Sequence, residues 1–134
     1  MSNYGLEILD RAQCDALLPT QRVGRVAVCT GRASVFPVLY DLLDGDVVFR
    51  TAPGEKLIAA VLHREVVFEI DTFDVVEHSG WSINVLGTAE EIVDHRDLAR
   101  VEALGLESWA GELRDRIVRI RAAEVSGRRI NPAA

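Results

Sequence analysis

A mainly β fold, a small β-barrel with a few short helices, is what the sequence predicts, on three observations. Short segments rich in Val, Ile and Phe recur between turn signals, as in Val23 to Thr30 and Glu65 to Thr72. A longer stretch, Trp81 to Val93, begins with Trp81, Ile83 and Val85 alternating with Ser82 and Asn84, the period of two of a half-buried strand. Helical spacing of apolar residues is confined to three short stretches. About six strands joined in succession leave bare edges unless the sheet closes on itself, and a barrel removes those edges.

Taken in order, Asp10 is placed to cap a helix over Arg11 to Leu18, and Pro19 stops it because proline cannot continue the hydrogen-bond ladder. Residues 1–20 thus read as an N-terminal helical segment. Strands follow at Val23 to Thr30, Val35 to Leu42 and Val47 to Thr51, separated by Gly31 and by Asp44-Gly45, a hairpin signal. Ala52-Pro53-Gly54 breaks the pattern. A helix over Glu55 to His63 would turn Leu57, Ile58, Val61 and Leu62 inward. Strands at Glu65 to Thr72 and 81 to 93 come next, with Gly87 marking a bulge or bend. A helix from Asp94 to Leu106, a last strand from Arg116 to Ala123 and a short basic tail from Gly127 complete the chain.

At 134 residues the chain is expected to form one domain, and 49% hydrophobic residues are enough to fill its core. A net charge of −6 argues against nucleic acid, which calls for a basic face. No apolar run approaches the roughly 20 residues that span a bilayer, and the first residues lack the basic and apolar regions of a secretory signal, so a cytoplasmic location is expected. Cys14 and Cys29 show no redox or metal spacing and are expected to be buried structural thiols. His63, His78 and His95 are too scattered to suggest a metal site.

The chemistry concentrates between Val47 and Leu57. A strand delivers Arg50 and Thr51 at its end, a Pro-Gly turn follows, and Lys56, the only lysine of the chain, stands where the next helix begins. A fork-shaped guanidinium, a hydroxyl, a compact ammonium and unpaired helix-start amides together suit a phosphate monoester. No nucleophile–base pattern is visible, so any reaction would be carried by a cofactor.

Three motifs in sequence resemble the pyridoxamine 5′-phosphate oxidase-like superfamily of flavin-binding split barrels, in the small branch near the nitroimidazole-resistance proteins. They are Gly24-Arg25-Val26-Ala27-Val28 with Phe36-Pro37-Val38, then Val48-Phe49-Arg50-Thr51 with Gly54 and Lys56-Leu57, then Trp81 to Ala89 with its closing Gly-x-Ala. The resemblance implies a six-stranded Greek-key split barrel that forms a homodimer, with flavin mononucleotide (FMN) sites at the interface. It places the phosphate against Arg50, Thr51 and Lys56, the ring along Phe36, Pro37, Val38 and Leu39, and a polar contact at Ser82. Trp109 and the Arg128-Arg129 pair are its candidates for contacts from the partner subunit. The implied function is an FMN-dependent oxidoreductase acting on a small planar or conjugated molecule. Alternatives of the same fold are a deazaflavin (F420)-dependent reductase and a non-catalytic flavin-sequestering module. The C-terminal arginine and histidine of the full oxidases have no match, so vitamin B6 oxidation itself is not implied.

Overall fold

The computed structural model describes residues 4–51, 56–106 and 116–132. In them, seven strands and three α-helices follow the order β1 (Tyr4–Leu9), α1 (Arg11–Leu17), β2 (Val23–Cys29), β3 (Ala33–Leu43), β4 (Asp46–Thr51), α2 (Lys56–Val61), β5 (Glu65–Asp74), β6 (Ser79–Glu91), α3 (His95–Leu104) and β7 (Arg116–Pro132). A single 3-10 turn, Leu18–Thr20, follows α1 and contains Pro19. Every strand pair is antiparallel, in the order β1-β7-β4-β3-β2-β5-β6, and β6 also pairs with β7. That last pairing closes a ring of six strands, β2 through β7, with β1 laid outside it on β7. Strands β2, β3 and β4 are consecutive neighbours and β5 returns beside β2, which is the Greek-key arrangement.

Local chemistry accounts for most boundaries. Asp10 accepts from the Gln13 amide at 2.8 Å and the Asp10 amide donates to Gln13 Oε1 at 2.8 Å, a reciprocal cap for α1. Asp44 and Gly45 both hold positive φ, the turn whose twist matches the flanking strands, so Leu43 faces Asp46 across a two-residue hairpin. Asp94 caps α3 and Gly105, left-handed at φ 70°, ends it. The register of β6 against β7 shifts at Leu86/Gly87, the position anticipated from Gly87.

Three sequence expectations need correcting. The first residues are not all helical: Tyr4–Leu9 is a strand, and its Leu9 is buried in the core. Nor is there a short tail from Gly127, because β7 runs on to Pro132 and pairs with β1 from Leu9↔Gly127 to Tyr4↔Pro132. Each segment is a strand only because the other is present, and a pairing across more than a hundred residues leaves no local signature. Cys29 likewise lies exposed at the end of β2, while Cys14 is buried as expected.

The main core fills the ring with Val26, Val38, Val47, Phe49, Phe68, Ile83, Val85, Val118 and Ile120. Cys14 and Leu18 join it from α1 and the turn after it, and Leu57, Ile58 and Val61 from α2. Tyr40 packs edge-on to Phe68 at 4.7 Å between ring centres. Its hydroxyl donates to the Leu18 carbonyl, and burial pushes its pKa up to about 12. A second cluster lies on the outer surface, where Val101 and Leu106 cover Val48 and Ile117. So α3 shields the outside of β4 and β7, while no element among the described residues covers the outside of β2, β5 and the first half of β3. Among the described residues no helix is long and apolar enough to cross a membrane.

Candidate functional site

The ring is not evenly stitched. Strands β3 and β4 pair from Leu43↔Asp46 to Tyr40↔Phe49 and then part, while β3 keeps its register with β2 all the way from Leu39 to Ala33. Among the described residues no strand covers the other edge of residues 33–39. The Tyr40 amide donates to the Arg22 carbonyl at 3.0 Å. Alternation along an antiparallel ladder then turns the backbone groups of Val38 and Phe36 toward β2, and those of Leu39, Pro37 and Val35 toward the open edge. Pro37 has no N–H to offer, and an open edge is where a strand tolerates that. At the head of this parting lies a cavity of about 240 Å³, lined by Arg22, Leu39, Tyr40 and Asp41 with Leu104, Gly105 and Leu106.

The residues expected to hold a phosphorylated ring are distributed differently from the linear motif. Arg50 and Thr51 are adjacent on β4 and therefore project to opposite sides of the sheet. The Arg50 side chain goes outward under α3, where Nε donates to the Leu106 carbonyl at 2.7 Å and a terminal nitrogen reaches Glu102 at 2.8 Å. Thr51 points inward, is fully buried, and donates to the Arg116 carbonyl at 3.3 Å. Lys56 stands exposed at the first position of α2. Glu55 and the Pro53-Gly54 turn lie outside the described residues, as does Trp109. Val38 is 2% exposed and fills the barrel, so Pro37 and Leu39 are the residues of that strand that face out.

Ser82 is not brought to the parting by its own chain. Strands β2 and β5 intervene between β3 and β6, and Ser82 instead sits between Asp71 and Arg128 in the cross-strand register. Arg22 was missed in the sequence because it falls in the loop before β2 with no motif around it. Only the approach of Leu106 to β3 makes it part of a cavity wall.

The uncovered outer face carries one charged group near its centre. Arg25 of β2 sits opposite both Pro37 and Glu69, and its guanidinium meets Glu69 at 3.1 Å and Asp71 at 3.4 Å. Burial, followed by the neighbouring Asp71 carboxyl, raises the Glu69 pKa to about 7, against the opposing pull of Arg25.

Comparison with known proteins agrees with the fold. The family model described as pyridoxamine 5′-phosphate oxidase matches residues 10–129. An uncharacterised protein of Mycobacterium tuberculosis is 33% identical over 128 residues, covering 91% of this chain and 84% of that one. The FAD binding protein from Mycobacterium smegmatis superposes with a TM-score of 0.82 at 33% identity, covering 92% of this chain and 98% of that chain. A FAD-binding protein from Mesorhizobium loti gives a TM-score of 0.76 at 25% identity, covering 96% and 98%. Because the match runs from the cap of α1 almost to the end of β7 and takes in the whole ring of strands, the chain belongs to the pyridoxamine 5′-phosphate oxidase family.

Proposed function

We propose that this chain binds a flavin nucleotide in the parting between β3 and β4 and serves as a flavin-dependent oxidoreductase for a small planar molecule. The observation that carries the proposal is the open edge of residues 33–39, which offers backbone acceptors and donors beside a cavity at Leu39–Asp41. Pro37 and Leu39 would meet the ring and Lys56, exposed past the end of β4, the phosphate. Arg50 and Thr51 would contribute through the position of the strand end, since their side chains are bonded elsewhere. A bound flavin supplies hydride or electron transfer; the chain supplies orientation and a dry wall. The relatives at 33% and 25% identity that are named for FAD support a flavin. FMN carries the one phosphate that Lys56 would meet, and FAD shares it. Net charge −6 disfavours the longer acidic tail of a deazaflavin.

A second copy of the chain is the proposed occupant of the uncovered outer face. Val23, Val35, Ala27 and Val67 form apolar rows there around Arg25, and no element among the described residues covers them. A two-fold axis running along the strands between β2 and β5 would set the β3 edge of one protomer against β6 of the other. Ser82 of the partner subunit would thereby reach the parting that Ser82 of the same chain cannot. The test is equilibrium titration of the purified protein with FMN, FAD and deazaflavin, followed by absorbance, with mass measured by light scattering. Yellow protein, or micromolar uptake of FMN or FAD by a dimer, is expected. A monomer that takes up neither flavin would end the proposal.

A further inference from the structure

A cavity of about 340 Å³ lies between β1, β5, β6 and β7, walled by Leu6, Phe73, Ile130 and Trp81 on its apolar sides and by Asp71, Ser82 and Arg128 on its polar side. Two adjacent cross-strand rows make it. One runs Phe73–Gly80–Ile130–Leu6 and the other Asp71–Ser82–Arg128–Ile8. Gly80 is the reason for the hollow. A Cβ there would stand 2.4 Å from the Phe73 ring and 2.5 Å from the Thr72 carbonyl oxygen, so the bare strand lets that ring lie across it. The volume is at the low end of those that hold small molecules, ~300–1,000 Å³.

Its two charges differ in availability. Asp71 is engaged by Arg25 at 3.4 Å. The neighbouring Arg129 is likewise taken up, meeting Glu7 at 3.4 Å. Arg128 has neither an ion pair nor a side-chain hydrogen bond to any described residue. A guanidinium with no partner among the described residues, beside the Phe73 ring and a serine hydroxyl, matches a flat ligand bearing one anionic group, because the fork binds a carboxylate with two parallel bonds while the ring covers apolar surface.

We propose that the cavity framed by Phe73, Gly80, Trp81, Ser82 and Arg128 binds a small aromatic carboxylate. Its use as the substrate pocket rests on the dimeric flavin reading above, since two-fold pairing through the outer face lays this cavity along the partner's open β3 edge. The binding itself rests only on residues of this chain.

The probe is salicylate, with its neutral amide, salicylamide, as the control, added to the protein as purified and followed by amide-resolved NMR. Salicylate is expected to shift the amides of residues 71–73, 80–82 and 128–130, and to bind at least tenfold more tightly than salicylamide. Arg128→Gln should remove that preference, and Phe73→Ala, at an exposed position, should weaken both ligands. Equal binding of the two probes, shifts confined to the β3–β4 parting, or salicylate affinity unchanged in Arg128→Gln would overturn the proposal. So would a loss of FMN affinity in Arg128→Gln equal to its loss of salicylate affinity, because the arginine would then belong to the flavin. Failure of the flavin reading shows in the titration above and leaves the salicylate measurement intact.

Discussion

Arg50 and Lys56 illustrate how residues of the same charge, six positions apart, come to do different work. Arg50 is held under α3 by a carbonyl and a carboxylate, at 17% side-chain exposure, while Lys56 faces water. Arg50→Ala should therefore act on stability. It leaves the Leu106 carbonyl without its donor and should cost about 1–3 kcal/mol in chemical denaturation. Lys56→Ala should leave the denaturation midpoint in place and weaken FMN roughly ten- to hundredfold, as expected for one charge-assisted contact worth ~1.5–3 kcal/mol. Equal effects of the two substitutions on FMN affinity at unchanged stability would mean that Arg50 leaves α3 to reach the ligand. In sequence both were legible as cations near a strand end. Their separation was not, because it depends on where α3 docks.

Among the elements, β6 and β7 bear the closure of the ring, and their shared irregularity sits at one glycine. A Cβ on Gly87 would lie 1.9 Å from the Arg121 carbonyl oxygen, a backbone atom that cannot swing aside. Gly87→Ala should cost at least ~3 kcal/mol, the upper end of overpacking effects, and lower the melting temperature accordingly. A melting temperature within two degrees of the parent would show that the two strands slide apart freely there. The bulge itself was readable from one glycine in an otherwise strand-like run. Pairing of β1 with the end of β7 was not: Leu6 and Ile8 face outward, so neither segment carries the inward-apolar pattern that marks a strand.

For the molecule as a whole, the Arg25–Glu69–Asp71 group sets a pH dependence. The folded-state pKa of Glu69 lies at about 7, above the ordinary carboxylate value near 4.5, so the folded chain holds a proton that the unfolded chain has released. The contribution is present in full below the ordinary value and is lost as pH rises toward 7. Wild-type protein should thus lose melting temperature relative to Glu69→Gln between pH 5 and 7, with the difference levelling off above. Taking the difference removes other titrating groups, such as Asp44, which Arg100 holds below its usual pKa. A parallel pair of curves across that interval would mean that Glu69 titrates as an ordinary surface carboxyl. If the outer face is the contact between two copies, the same interval should also weaken association as Glu69 becomes charged.

By itself the sequence determined the class of fold, the succession of five of the strands within a few residues, the three helices with the Asp10 cap of the first, and the hairpin at Asp44-Gly45. Those are consequences of local periodicity and turn stereochemistry, which act over a few residues and are written into them. Only the tertiary structure decided which faces the side chains of Arg50, Thr51, Val38 and Ser82 serve, that β3 and β4 part after Tyr40, and that Gly80 opens a cavity beside Arg128. Each of those depends on strand register and helix docking between segments far apart in the chain, and a shift of one residue in register would turn every side chain of the strand to the opposite face.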